Sequence, residues 1–171
     1  SNNDPDRADI ERELLSDEIS NLKLLPPWQG NKVIGLAYNY ASLVGEREDG
    51  KYDEPLMFFK SPTSVCPNGS VVKMPEDALT MWVEVELAVI IRDTCKNVSH
   101  DEAKNHILGV TVSSDITLQN IHERDHHLAR SKAHDNFCPI GFDLMTGLDT
   151  SNLAVETKID GKIMQSGNTS D

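Results

Sequence analysis

One segment, residues 83–91, constrains the fold more than any other part of the chain. Its first half alternates between apolar and acidic residues, and 88–91 is entirely apolar. The alternating residues are Val83, Glu84, Val85, Glu86 and Leu87. Alternation places every second side chain on one face of a β-strand. The segment therefore predicts a strand with a polar face at one end and burial on both faces at the other.

Shorter β-like runs surround this strand and are separated by Gly, Pro, Asp and Asn. The candidate strands are 33–37, 56–59, 71–74 and 110–114. A hairpin is predicted at 155–165, because Asp160-Gly161 favours a type I′ turn. A capping box at Ser99 opens one short helix, and 117–129 is predicted as a second, polar helix. The pattern is typical of an α+β or mostly β protein with a few short helices.

Charge and cysteine usage exclude several classes of function. The 171 residues include 16 Lys+Arg and 28 Asp+Glu, a formal net charge of −12. This length indicates one domain, and the acidic balance argues against nucleic-acid and anionic membrane partners. No apolar run approaches the ~20 residues of a membrane span. Three separated cysteines favour a reducing compartment, and we expect a cytoplasmic protein.

The first 30 residues differ from the rest of the chain. Residues 4–20 are predicted either as an acidic helix, with Asp4 as its N-cap, or as a loosely attached arm. Pro26-Pro27 is typical of a linker. We therefore divide the chain into an N-terminal helix or arm with its linker, 1–30, and a main domain, 31–171.

Three carboxylates are candidates for a metal site. Glu84 and Glu86 share one strand face, with Cα atoms roughly 6.6 Å apart. Asp115 ends the next predicted strand, so the three converge if those strands are neighbours. An all-oxygen trio suits Mg²⁺, Mn²⁺ or Ca²⁺. The alternative is a solvated strand face, but the glutamates lead into a buried stretch, and no lysine or arginine shares their face.

Several segments, in order from about residue 32 to the end, resemble the fumarylacetoacetate hydrolase (FAH) superfamily. They are G-L-A-Y-N-Y at 35–40, P-L-M-F-F-K-S-P at 55–62, E-V-E-L at 84–87, G-V-T-V-S-S-D at 109–115, S-K-A with F-C-P-I-G at 131–141, and I-D-G-K with Q-S-G-N-T-S-D at 159–171. The resemblance implies a mixed β-sheet roll of the FAH type. It also implies that the C-terminal part of the fold is absent from this chain, and that the protein is a homodimer.

The same resemblance implies the site. Glu84, Glu86 and Asp115 would be the ligands of Mg²⁺ or Mn²⁺, and Lys132 looks like the active-site lysine of the family. Tyr38, Asn39, Gln119 and His122 match substrate-facing positions. Glu46 matches the catalytic glutamate that many hydrolytic members pair with a histidine.

Departures from the family pattern bear on the reaction. Leu43 stands where hydrolytic members carry that histidine, which leaves Glu46 to act alone or in another role. Tyr38 and Gln119 stand at positions where members place carboxylate-gripping arginines. Arg124 or Arg130 is a candidate substitute.

These features favour an isomerase or decarboxylase of the 2-hydroxyhepta-2,4-diene-1,7-dioate isomerase branch, which belongs to aromatic catabolism. Its substrate would be a small 2-oxo dicarboxylic acid that reacts through a metal-stabilised enolate, without activated water. The alternatives are an acylpyruvate-type hydrolase, an oxaloacetate-type decarboxylase, and a catalytically impaired metal-binding homologue.

The histidines leave two further alternatives open. His122 and His126 lie four residues apart on the predicted helix, a spacing that suits zinc. The plainer interpretation is a polar, solvent-facing helix and loop. Between the two, the substrate-facing position that the resemblance implies for His122 would let its imidazole deliver a proton.

Overall fold

The structure is a computed structural model that describes residues 25–28, 30–44, 54–119 and 125–171. Strands predominate there, and each α-helix is a single turn. The strands are β1 (Val33–Ala37), β2 (Leu56–Lys60), β3 (Val65–Pro67), β4 (Met81–Ile91), β5 (Ile107–Leu118), β6 (Cys138–Ile140), β7 (Ala154–Ile159) and β8 (Lys162–Asn168). The helices are α1 (Ala41–Val44), α2 (His100–Ala103) and α3 (Ala129–Lys132).

A four-stranded mixed sheet forms the centre of the described chain, in the order β3-β6-β5-β4. Strand β3 is parallel to β6, whereas β6, β5 and β4 are antiparallel neighbours. The β4–β5 ladder is the longest, running from Met81 opposite Leu118 to Ile91 opposite Ile107. Both strands are rich in valine and isoleucine, which suit a pleated, half-buried surface.

Two separate antiparallel pairs flank this sheet, β1 with β2 and β7 with β8. In the β7–β8 turn, Asp160 and Gly161 have φ angles of 51° and 76°. A type I′ turn needs positive φ at both central residues, so the predicted hairpin is confirmed. The side chain of Gln165 on β8 accepts a hydrogen bond from the Val85 amide of β4 at 2.9 Å, which ties the hairpin to the central sheet.

A small apolar cluster packs against one end of β5. Ile116, Leu118 and Phe137 are buried together, and Phe137 has no exposed surface. Met81 and Val83 of β4 pack against them. This cluster fixes the end of the β4–β5 ladder that carries the acidic side chains.

The structure corrects three of the strand and helix predictions. Residues 71–74 form no strand, and the neighbouring Val65–Pro67 does. Asp115 does not end its strand, because β5 continues to Leu118. The helix predicted at 117–129 is wrong in its described parts, since 117–118 is strand and 125–128 is not helical. Burial of Ile116 and Leu118 against Phe137 extends the strand where local polarity had favoured a helix.

The predicted burial of the 88–91 end of β4 on both faces is also wrong, since Val89 and Ile91 are 47% and 52% exposed and only Ile90 is buried there. Two other predictions of architecture are confirmed. The capping box is present, with the Ser99 and Glu102 side chains each bonded to the other's backbone amide. The α+β, mostly β class is confirmed. Across the described ranges, no helix has both the length and the hydropathy needed to cross a membrane. The helix or arm predicted at 4–20 lies outside the described residues.

Candidate active site

The paired strands β4 and β5 position the three predicted carboxylates. Glu84 lies directly opposite Asp115 in the antiparallel register, and Glu86 lies opposite Ser113. Directly opposite side chains in such a pair have Cβ atoms about 4.5–5.5 Å apart. The two strands are therefore neighbours, as the convergence of the carboxylates required.

Two lysines from outside these strands hold the carboxylates. Lys60 of β2 donates from Nζ to Asp115 Oδ1 at 2.5 Å and to the Ile116 carbonyl at 3.3 Å. Lys132 of α3 donates to Asp115 Oδ2 at 2.5 Å and to Glu84 Oε2 at 2.9 Å. The absence of a cation on the face of the β4 strand itself therefore does not mean that the acids are unpaired, which corrects that inference from sequence.

Burial makes these interactions strong, because water screens them little. Lys60, Asp115 and Lys132 are between 5% and 8% exposed. Burial alone would lower the pKa of Lys132, but the charges and hydrogen bonds of Asp115 and Glu84 outweigh it and raise that pKa. The Lys132 side chain is accordingly an ammonium ion at neutral pH.

The surroundings of Glu86 oppose its charge. Burial, followed by the negative charges of Asp115 and Glu84, raises its pKa to about 7. The two lysines only partly offset this effect. The site therefore opposes the charge of Glu86, and a nearby cation would favour its ionised form.

A second layer of hydrogen bonds orients the charged groups. Thr117, which is buried, donates from Oγ1 to Glu84 Oε2 at 2.9 Å. Buried Asp125 accepts hydrogen bonds from the Arg130 and Ser131 amides at 3.0 and 2.8 Å, and from the Ser131 hydroxyl at 2.6 Å. Burial opposes the charge on Asp125, but these hydrogen bonds lower its pKa. Asp125 therefore holds, as an anion, the turn that carries Lys132.

A cavity of about 290 Å³ opens between the β1–β2 pair and the central sheet. Lys60, Glu86, Asp115 and Asn39 line its polar end. Its other walls are mainly apolar and include Ile34, Leu36, Phe58, Val89 and Ile90. Glu86, Asp115 and Lys60 thus face a space that a small molecule can enter.

The donor set fits a hard divalent cation by its chemistry. Three carboxylates on paired strands are the ligands that Mg²⁺ and Mn²⁺ prefer, and burial together with the charges of Asp115 and Glu84 raises the pKa of Glu86. The described residues do not, however, gather three acidic, histidine or cysteine side chains closely enough to enclose an ion. Lys132 instead bridges Glu84 and Asp115.

The other predicted site residues are distributed unevenly. Asn39 lines the cavity, and Tyr38, in a positive-φ conformation, is 45% exposed. Gln119 is exposed, and its backbone amide donates to the Thr80 carbonyl. Glu46 and His122 lie outside the described residues, as does Arg124. Arg130 is ion-paired with Asp77, which leaves it poorly placed to grip a substrate carboxylate.

Sequence reasoning missed Lys60 and Thr117. A signal for Lys60 was available, since it lies two residues after Phe58 in an apolar strand, on the face that proves buried. A lysine on a buried face is uncommon unless it is paired. Thr117 gave no such signal, because it opened the segment predicted as a polar helix, where a polar residue is ordinary.

Comparison with known proteins identifies the family. The family model described as fumarylacetoacetate (FAA) hydrolase C-terminal matches residues 32–171. The chain belongs to the FAH family. Its solved relatives include the crystal structure of 2-hydroxyhepta-2,4-diene-1,7-dioate isomerase from Mycobacterium marinum, with a TM-score of 0.78 and 30% identity over 89% of this chain and 56% of that one. The predicted FAH-type fold is therefore confirmed.

Curated FAH relatives carry different activities. The 2,4-didehydro-3-deoxy-L-rhamnonate hydrolase of a Sphingomonas species is 34% identical over 81% of this chain and 50% of its own length. The mitochondrial oxaloacetate tautomerase fahd2 of Xenopus laevis is 29% identical over 88% of this chain and 49% of its own length. The chain spans roughly half to three fifths of the length of the relatives it matches.

Proposed function

We propose that this chain carries the metal-binding part of a divalent-metal-dependent isomerase or decarboxylase that acts on an enolisable 2-oxo dicarboxylic acid. One observation carries the proposal: Glu84 and Asp115 lie opposite each other on paired strands, Glu86 and Asp115 line the same cavity, and two buried lysines bind Asp115. The chain is only part of the length of its relatives, so the activity is proposed for the whole protein.

The charges of the cluster suit a metal and an anionic substrate. Glu84, Glu86 and Asp115 with Lys60 and Lys132 have a formal charge of −1 when all five are ionised. A divalent cation would reverse that sign and attract a carboxylate. Glu84, Glu86 and Asp115 would hold Mg²⁺ or Mn²⁺, which when bound supplies Lewis acidity that polarises a 2-oxo group.

The lysines are suited to stabilising negative charge and not to removing a proton. Lys132 is protonated at neutral pH, because its raised pKa lies above an already high ordinary value. Its ammonium group, bound to the cavity-lining Asp115, would stabilise the charge of an enolate and return a proton to it. Lys60 holds Asp115 in place at 2.5 Å. Glu46 remains the predicted proton acceptor.

The absence of the family histidine favours isomerisation or decarboxylation over hydrolysis. Leu43 occupies its position, and neither of these two reactions needs an activated water. The cavity of about 290 Å³ is at the small end of the usual range for ligand sites, roughly 300–1,000 Å³. It suits a small acid.

Hydrolysis is the second candidate, and one comparison favours it: the Sphingomonas relative is a hydrolase. Such a reaction here would require a base other than a histidine at position 43. A catalytically impaired metal-binding homologue is the third interpretation.

Calorimetric titration of Mg²⁺ and Mn²⁺ into the protein tests the metal site. Binding of one ion per chain in the wild type, lost in Glu84→Gln and retained in Glu156→Gln, is the expected result. Glu156 is a matched control, because it is also a strand glutamate that pairs with a lysine, Lys158. Absence of binding in the wild type would overturn the proposal.

Oxaloacetate is a suitable first substrate, because it both enolises and decarboxylates. We expect Mg²⁺-dependent loss of the enol absorbance or release of CO₂, with either reaction reduced at least 100-fold in Glu84→Gln. Metal binding without turnover of oxaloacetate or a panel of 2-oxo dicarboxylic acids would favour the impaired homologue. Cleavage of acylpyruvates in place of these reactions would favour the hydrolase.

A further inference from the structure

We propose that Phe58 is a positioning residue for Lys132: its ring holds the ammonium group in place between Glu84 and Asp115. The Lys132 Nζ atom lies 4.6 Å from the centroid of the Phe58 ring. The face of an aromatic ring attracts cations within about 6 Å, most strongly where water is excluded. The inference rests on the proposed function only for the role of Lys132, since the contact itself is independent of it.

The ring completes the surroundings of the ammonium group. Lys132 donates to Asp115 Oδ2 at 2.5 Å and to Glu84 Oε2 at 2.9 Å. Its side chain is 10% exposed, so water can satisfy little of the remaining charge. Phe58 itself is buried, at 8% exposure. The two carboxylates and the ring together fix where Nζ lies.

One face of strand β2 carries two residues that contact the charged groups of Asp115 and Lys132. Phe58 and Lys60 are two residues apart and are the buried members of that strand. Side chains at this spacing point to the same side. Lys60 binds Asp115 while Phe58 contacts Lys132, so one strand sets the positions of both ammonium groups.

Gly35 makes room for the ring. It lies opposite Phe58 in the β1–β2 register. A Cβ atom at position 35 would lie 2.2 Å from Cζ of Phe58, which is too close for any real contact. The ring therefore lies across the backbone of β1, and any larger residue at position 35 would displace it from Lys132.

NMR of the lysine ε-methylene groups tests the contact without reference to activity or metal. Protons near a ring face are shifted upfield, so we expect one upfield-shifted lysine signal, assigned by its loss in Lys132→Arg. The shift should disappear in Phe58→Leu, which keeps an apolar side chain. It should persist in Phe59→Leu, where the neighbouring ring is 66% exposed on the opposite face.

A second variant keeps the test decisive if Phe58→Leu does not fold. Gly35→Ala retains the ring and moves it, so the upfield shift should shrink. A Lys132 signal at the ordinary lysine position in the wild type, or one unmoved by either substitution, would overturn the proposal.

The consequence for catalysis is measured separately. If oxaloacetate is turned over, kcat should fall about tenfold in Phe58→Leu, because a misplaced catalytic group is costly, while KM changes less than twofold. Unchanged kcat together with loss of the shifted signal would show that the ring does not position Lys132 for the reaction. A chain with the shifted signal but no turnover would contradict only the proposed function.

Discussion

The pKa of Glu86 reflects the electrostatics of the site. Its pKa of about 7 lies above the ordinary value of 4.5, through burial and the charges of Asp115 and Glu84. As the pH rises from 4.5 to 7, the unfolded chain releases this proton before the folded chain does. The metal-free protein therefore loses stability across that window.

Glu86→Gln should remove this pH dependence. The substitution should raise the free energy of unfolding at pH 7.5 by about 1–2 kcal/mol more than it does at pH 4.5. This range already allows for the partial exposure of Glu86. The measurement is urea denaturation in EDTA at several pH values. Glu156→Gln is the control, because it changes a more exposed strand glutamate. Its stability should depend on pH as that of the wild type does. If the stability of Glu86→Gln fell with rising pH as steeply as that of the wild type, Glu86 would not be the cause of the pH dependence.

Lys60 gives a second prediction at the residue scale. Lys60→Met should destabilise the protein by about 2–4 kcal/mol, because it leaves Asp115 buried with one cation in place of two. Lys158→Met should cost less than about 0.5 kcal/mol, since its pair with Glu156 is exposed.

The double variant Lys60→Met/Asp115→Asn checks that the cost arises from the pair. It should be less destabilised than the sum of the two single variants, by about 1 kcal/mol or more. Strict additivity in denaturation measurements would mean that Lys60 acts through packing alone.

At the scale of elements, the single turn α3 depends on Asp125. A one-turn helix has no intrinsic stability, and the Asp125 carboxylate satisfies the amides of Arg130 and Ser131. Asp125→Ala should cost about 2–3 kcal/mol, because buried amides lose their acceptor. Ser131→Ala, which removes only the hydroxyl donor, should cost about 1 kcal/mol. Equal costs in thermal denaturation would contradict this division of roles.

The β7–β8 hairpin offers a matched pair of glycines, Gly161 in its turn and Gly167 within strand β8. Gly161 has φ of 76° with no atom within 4 Å of an added Cβ, so Gly161→Ala meets strain and no clash. That strain should cost about 1 kcal/mol. On β8, an alanine at Gly167 makes only ordinary contacts, the nearest at 3.7 Å. Gly167→Ala should therefore be neutral, and a cost equal to that of Gly161→Ala would mean that strain is not the cause.

The elements differ in how much of them the sequence could predict. Local signals were sufficient for β1, the β7–β8 hairpin and the Ser99 capping box, because turn residues and alternation determine each of them. The end of β5 was missed, since its strand depends on burial against Phe137, a contact distant in sequence. The lysine pairs were missed for the same reason: Lys60 and Asp115 are 55 residues apart. The family resemblance supplied Lys132, which spacing alone did not.

At the scale of the whole molecule, the large negative net charge governs how stability responds to salt. The chain carries a formal charge of −12, so its folded state repels itself, and salt screens that repulsion. Raising NaCl from 10 to 500 mM should raise Tm in the wild type and in Glu84→Gln alike. Magnesium should act differently, because at the proposed site it would bind three carboxylates in addition to screening.

At matched ionic strength, 10 mM MgCl₂ should stabilise the wild type beyond NaCl by about 1–3 kcal/mol if Kd lies between roughly 0.1 and 1 mM. Glu84→Gln should lose that increment while keeping its response to NaCl, since −11 is still a large charge. Equal increments in both proteins would assign the magnesium effect to the whole surface. That outcome would contradict the proposed metal site, because the effect of a diffuse ion atmosphere does not depend on one half-buried glutamate.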